Sequence, residues 1–484
     1  MRKTVLFLLF SLLCMSEVWA QGYRIEVTVD GVKDTTLYMA IYSGANKYAI
    51  DTAVTDSKGH AVFQKVKPLY GGMYLIAMGG VQILDFLISD SLSQHFSIYT
   101  SAGNYYDSLR FTGSPENTAL LDFQANLQQQ QKKIGRLLER SKNDESQTQA
   151  VKDSIAIVEK EVQEYIKVNR ERQKGKLLAT ILQAAFPPTA PDPNIPEGTP
   201  KRDSLLWVHY YQFNKNHFFD NIDFSDARLI YTPILKPRVE EYFTKTLIQV
   251  PDSLIPQVDY VLKLAEVNHE MYSTVFSQLF NKYVEAEIMG MEKVAIYIGE
   301  HYILTGKADW IEGEAKNKIK DFVEHNRYSL IGMQAKDLKL QSITGQFESI
   351  YDINSPYLVL VFYEPDCGHC RKEVPLIYEV YKKYKNKGVQ VFAVCGEYKY
   401  DKWVKFVTEN NLDWINVWDG YNKQDDVSVG SHFREYYNVY STPQVYLLDK
   451  DKKIIGRRLS SEVLEQILKH ELGQSNEQLK MNNE

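Results

Sequence analysis

"FYEPDCGHC", residues 362–370, decides the reading of this 484-residue chain. Two cysteines stand three positions apart, and the chain holds only two others, Cys14 and Cys395. The stretch grows out of "PYLVLVFY" (356–363), an apolar run that reads as a buried strand, and leads into a helix expected to end near Lys385. A C-x-x-C at that junction puts the first thiol at a helix N-terminus. Unpaired backbone N–H groups and a partial positive charge stabilise a thiolate there. Cys367 is therefore expected to be the exposed nucleophile. Cys370, one turn on, is placed to attack a mixed disulfide and release it.

Three other uses of the pair fit less well. Zinc needs a second ligand pair, and no second C-x-x-C or suitable His pair exists; His209 and His217 do not share a helix face. Haem attachment needs His after the second cysteine, where this chain has Arg371. A structural disulfide gains little from closing so short a loop. No metal and no cofactor is read from the sequence.

Outward from the pair, the last third alternates strand and helix. "VQVFAVC" (389–395) is a strand and "DKWVKFVTENN" (401–411) a helix. "PQVYLLDK" and "KKIIGRRL" are strands joined by a tight turn, and "SSEVLEQILKHEL" closes as a helix. This order predicts a mixed sheet with helices on both faces.

These residues resemble a thioredoxin-fold active site. "FYEPDCGHC" is similar to the "FYAPWCGHC" of protein disulfide isomerases. "RKEVP" after it, with Pro375, resembles the helix of TlpA/ResA-like periplasmic oxidoreductases. "YSTPQVYLLDKDKKIIGRRL" matches that family's second signature, which implies that Pro443 is the cis-proline beside the site and Thr442 precedes it. The resemblance covers about residues 330–473. More loosely, the whole chain resembles multidomain thioredoxin-like proteins of Gram-negative bacteria, with an N-terminal β domain and a helical middle domain.

The chain departs from the family at two positions. Asp366 stands where Trp is usual, and a carboxylate beside Cys367 disfavours its thiolate. Val361 replaces the buried acid found six residues before the first cysteine in thioredoxins. Proton transfer at Cys370 must then use Glu364, Glu373, His369 or water, and Glu364 is the first choice. His369, when charged, favours the thiolate and opposes Asp366. Cys395 ends a strand expected to run parallel to the active-site strand. It reads either as a buried inert residue or as a third redox thiol.

The remaining chain supplies architecture. Residues 23–113 hold short β-branched and aromatic runs separated by turn signals such as Asp30 with Gly31, predicting an antiparallel sandwich or barrel. From Ser114, expected as N-cap with Pro115 behind it, apolar residues recur at helical spacing in two series, an antiparallel hairpin. Residues 187–200 carry six of the 16 prolines and read as a long loop. The aromatic-dense "LLWVHYYQFNKNHFFDNIDF" (205–224) is expected in the core of a helical domain ending near 329. The expected domains are thus 21–113, 114–329 and 330–473, with a polar tail at 474–484. The thioredoxin-like span is expected to fold alone.

A basic start, Arg2 and Lys3, precedes an apolar run too short to span a bilayer, and Val18 and Ala20 frame a cut before Gln21. Residues 1–20 therefore read as an export signal. Bulky Leu13 before Cys14 argues against a lipoprotein cut, and length argues against a retained anchor. Export implies the periplasm or cell envelope. The net charge of -6, with no basic block, argues against nucleic acid or DNA as partner.

Together these features predict an exported thiol-disulfide oxidoreductase acting on protein disulfide or thiol clients, with a membrane redox partner. The second reading is an envelope binding or assembly protein that uses the thioredoxin-like domain as a redox-regulated scaffold.

Overall fold

The computed structural model describes residues 22–89, 94–143, 148–286, 288–397, 399–420 and 431–481. Residues 1–20, read above as an export signal, with Cys14 among them, and the last three residues of the polar tail lie outside them. No helix among the described residues is long and apolar enough to cross a membrane.

Two compact units emerge: one runs to Gln249 and takes in Pro256–Gln278, the other holds Val250–Ile255 and the chain from Leu279 on. The helical region of the sequence thus contributes to both.

The first unit opens with eight strands: β1 (Tyr23–Asp30), β2 (Thr36–Ser43), β3 (Asn46–Val54), β4 (His60–Lys65), β5 (Gly72–Met78), β6 (Val81–Ile88), β7 (His95–Ser101) and β8 (Arg110–Thr112). They form two four-stranded sheets, ordered β4-β1-β7-β8 and β3-β2-β5-β6. Period-two alternation sends Ile25, Val27, Phe63 and Ile98 of one sheet, and Leu37, Met39, Ile76 and Phe86 of the other, into a single core. The pairing is not wholly antiparallel as expected, because β1 runs parallel to β7. Edge strand β3 has mostly exposed side chains, so its residues carry no alternating signature.

Helices α1 (Pro115–Asn143) and α2 (Thr148–Arg172) follow, then α3 (Leu177–Ala184). Phe123 of α1 stacks on Tyr165 of α2, and Leu120, Phe123, Ile166 and Leu178 share a cluster, which is the expected hairpin. Buried Asn117 ties α1 to the first sheets: its amide accepts from the Leu87 N–H at 2.6 Å and donates to the Leu87 carbonyl at 3.0 Å.

Helix α4 (Arg202–His217) corrects the expectation for the aromatic stretch: none of its residues is buried. Trp207 and Tyr211 stack on each other along the helix, and Trp207 is exposed. Apolar residues lie all round this helix, so no one face turns the rest inward. Only Phe219, Ile222 and Phe224, beyond its end, join the core. Helices α5 (Leu235–Glu241), α6 (Pro251–Ala265) and α7 (His269–Val284) complete the region before the second unit proper.

In the second unit, α8 (Glu292–Ile298) and α9 (Gly313–Asn326) precede a seven-stranded sheet. Its strands are β9 (Lys339–Ser342), β10 (Phe347–Ser349), β11 (Tyr357–Tyr363), β12 (Val389–Cys395), β13 (Ile415–Trp418), β14 (Gln444–Leu448) and β15 (Ile454–Arg457). The order is β10-β9-β13-β12-β11-β14-β15. Strand β11 lies inside the sheet, parallel to β12 and antiparallel to β14, and is buried along nearly its whole length. Helices α10 (Cys370–Tyr384), α11 (Tyr400–Glu409), α12 (Phe433–Tyr436) and α13 (Ser461–Met481) complete it. Two separate apolar clusters line the two faces of β11: Val359, Val361 and Tyr363 on one, Leu358, Leu360 and Phe362 on the other. The backbone of the polar tail continues α13 as far as Met481.

Candidate active site

The C-terminal end of β11 delivers the loop that carries the cysteines, and α10 starts at Cys370. Reduced Cys367 is partly exposed, while Cys370 and Cys395 are buried. The Cys370 backbone N–H points at Cys367 Sγ at 3.4 Å, as a helix N-terminus facing a sulfur requires. The Cys367 thiol donates to the Thr442 carbonyl at 3.1 Å, and the Thr442–Pro443 bond is cis. Cys367, Cys370 and Thr442 are thus brought together, with the cis Pro443 adjoining Thr442.

The two sulfurs differ in acidity. Partial burial pushes the Cys367 thiol up, but hydrogen bonds from the Cys370 N–H, the Cys370 thiol, the Thr442 side chain and the His369 N–H outweigh it, so it lies below its ordinary value. Burial dominates at Cys370 and pushes it up to about 12, against help from the Glu364 backbone and the Thr442 side chain. The arrangement can present one reactive thiolate over one protected thiol.

Asp366 does not oppose Cys367 as a free charge. Its carboxylate is bound by Lys402 from α11 and by Arg371 at 3.5 Å, and the Lys402 ammonium holds it below the usual carboxylate range. Asp366→Asn removes the carboxylate that offsets the Lys402 and Arg371 charges. The expected result is a modest fall in the midpoint pH of Cys367 alkylation, shrinking as salt is added. A rise in that midpoint contradicts the arrangement.

Glu364 is gripped by Arg434 of α12 at 2.7 Å. A Cβ at Gly396 would come within 2.9 Å of the Arg434 guanidinium, so glycine there leaves room for the pair. Glu373, weighed as a proton carrier, instead accepts from the Ser461 N–H at the start of α13, at 2.5 Å. The His369 side chain is exposed.

Cys395 sits opposite Tyr363 in the β11/β12 register and shares the cluster of Cys370. Burial, with the charges of Glu397 and Glu364 and of Cys370 behind it, pushes it up to about 12. Val361 is fully buried where thioredoxins hold an acid. Beside it the buried polar group is Tyr363, whose hydroxyl accepts from Trp403 Nε1 at 3.1 Å. Sequence reasoning missed Lys402, Trp403 and Arg434, which sit on helices remote in sequence and carry no motif.

The AhpC/TSA family model matches residues 331–457, and a domain of unknown function (DUF5106) matches residues 139–329. A thiol-disulfide oxidoreductase ResA of Geobacillus kaustophilus is 31% identical over 142 residues, 28% of this chain and 76% of the relative. ResA of Bacillus cereus is 27% identical over 139 residues, 28% of this chain and 74% of the relative. A solved thioredoxin-like protein of Bacteroides caccae is 20% identical, with a TM-score of 0.41 over 58% of this chain and 97% of that one. The chain belongs to the thioredoxin-like TlpA/ResA-like family of thiol-disulfide oxidoreductases.

Proposed function

We propose that the chain is exported and exchanges disulfides with protein thiol clients through Cys367 and Cys370. The observation that carries this is the asymmetry of the two sulfurs, an accessible acidic thiol above a buried one pushed up to about 12. Cys367 thiolate attacks a client disulfide. A mixed disulfide forms and one client thiolate leaves. Cys370 gives up its proton and attacks the Cys367 sulfur. The Cys367–Cys370 disulfide forms, and the second client thiolate leaves and takes a proton. The client gains two electrons and the pair loses two, so a dithiol reductant must restore it; a membrane redox partner is the proposed source. Run backwards from the oxidised pair, the same steps oxidise a client.

Export rests on residues 1–20, with the cell envelope or periplasm as the destination. The shared core of the N-terminal sheets supports reading them as a β-sandwich. His369 and Thr442 are proposed to tune the pair, Pro443 to shape its client side, and Cys395 to remain an inert core thiol.

The test is turnover of a disulfide-bonded protein with dithiothreitol as reductant, alongside iodoacetamide alkylation across pH. In the reduced native chain Cys367 should react first, with a midpoint below the ordinary thiol value of 9.0. Cys370 and Cys395 should stay protected far above it. No turnover, with clients held regardless of both cysteines, would instead indicate a binding role.

Glu364 is proposed to relay the Cys370 proton, and its pairing with Arg434 makes it also a clamp on the loop. Glu364→Gln separates the two, because the amide oxygen keeps the Arg434 bond while the proton-accepting carboxylate is gone. Resolution by Cys370 should slow, within the roughly 100- to 10,000-fold range of general acid–base effects, with the first attack nearly intact. Unchanged resolution removes Glu364 from proton transfer.

A further inference from the structure

Helix α9 lies ahead of the redox segment in sequence, yet its last residues reach the loop that faces Cys367. Asn326 is 4% exposed, and its side-chain oxygen collects three donors. Asn438 Nδ2 lies at 2.7 Å, Arg457 Nη2 at 2.9 Å and Arg458 Nη2 at 3.5 Å. The Asn326 amide nitrogen donates to the Phe322 carbonyl at 2.8 Å, which fixes which end faces the donors. The neighbouring His325 ring meets the Tyr440 ring edge-on at 4.7 Å.

Asn438 is the near end of loop 438–444. It is buried and left-handed, with φ 49°. The loop is closed on itself, because Gln444 Nε2 donates to the Asn438 carbonyl at 2.9 Å. Thr442 lies inside that closed turn, and its carbonyl is 3.1 Å from Cys367 Sγ. One buried amide therefore holds the base of a short turn whose tip touches the reactive sulfur. A buried, fully used acceptor of this kind specifies one geometry, since any displacement strands several donors at once.

We infer that Asn326 is a positioning residue for disulfide exchange: it anchors Asn438, fixes loop 438–444, and so keeps Thr442 against Cys367. The inference rests on the proposed role of Cys367 as the attacking thiol. The role needs no contact with a client, and Asn326 carries no charge of its own. The charged and titratable groups around Cys367 are Glu364, Asp366, His369, Cys370, Arg371 and Glu373 on its own segment. Lys402 of α11 binds Asp366, Arg434 of α12 binds Glu364, and His325 of α9 meets Tyr440 in the loop. Substitution at Asn326 leaves all of them in place. Displacing the loop also carries away the Thr442 side-chain hydrogen bond that helps hold the Cys367 thiol below its ordinary value, which raises the midpoint.

The experiment uses the full chain, with pH-dependent iodoacetamide alkylation of Cys367, exchange turnover and thermal unfolding measured together. Asn326→Leu should raise the alkylation midpoint, cutting the thiolate fraction at pH 7 about threefold or more, about half a unit of pKa. Turnover should fall in step. Asn326→Asp keeps an acceptor facing Asn438 and should stay near the parent in both readouts. Asn438→Gly keeps the left-handed backbone and the Arg457 contacts while removing the link to Asn326. It decides the matter if Asn326→Leu does not fold, and should raise the midpoint likewise. Folded variants with the parent midpoint and turnover, even if less heat-stable, overturn the inference. Cys367→Ser is the control: retained turnover there overturns the attacking role and the inference with it, whereas lost turnover with a normal Asn326→Leu overturns the inference alone.

Discussion

Cys367→Ser is expected to reduce exchange by at least about a thousandfold, whereas Cys370→Ser is expected to accumulate mixed disulfides with clients. With a pKa of about 12, Cys370 holds roughly 10⁻⁵ of its sulfur as thiolate at pH 7. Cys367, below 9.0, holds at least about 10⁻². When Cys367 is gone, the remaining nucleophile is therefore scarce as well as buried. When Cys370 is gone, attack proceeds but the resolving sulfur is missing, so the mixed disulfide persists until an external thiol reaches it. Non-reducing electrophoresis with mass spectrometry of the adducts reads both outcomes. Equal trapping by the two variants contradicts the order of attack.

The second large effect concerns where the redox unit begins. A fragment of residues 330–473 is expected to be less stable than one of residues 279–481 by about 3 kcal/mol or more, or to fail to fold. The longer fragment keeps Glu292, which pairs with Arg457 at 3.0 Å, and Asn326, which accepts from Arg457 and Asn438. The Arg457 side chain is only 3% exposed. Removing its partners leaves a buried guanidinium uncompensated, and breaking a buried pair from one side costs about 3–5 kcal/mol. The boundary near 330 expected from strand pattern thus cuts through a buried polar cluster. Urea unfolding of both fragments measures the difference. Equal midpoints would show that Arg457 finds water or other partners without α8 and α9.

The parts of the site that could be read from sequence are those written locally. The two cysteines, the strand before them and the helix after them occupy one continuous segment, and Thr442 with Pro443 carries its own signature. Short strands were harder. β10 has three residues and β13 four, too few to show a period. Exposure of α4 was misread because composition records how apolar a helix is, not what covers it. The electrostatics were illegible for a different reason. Asp366 meets Lys402 across 36 positions, Glu364 meets Arg434 across 70, and Asn326 meets Asn438 across 112. No local pattern encodes such pairings. This is why Asp366 read as a free opposing charge and why Asn326 did not stand out.

Cys367 and Cys370 are proposed to form the redox couple, with Cys395 standing apart. The most direct test equilibrates the full chain in graded mixtures of reduced and oxidised glutathione, quenches it, and maps all three thiols by differential alkylation and mass spectrometry. Cys367 and Cys370 should lose alkylation together along one two-electron curve, tenfold in ratio for about every 30 mV, while Cys395 remains a thiol throughout. A couple that includes Cys395, or a Cys367 that stays reduced across the range, contradicts it.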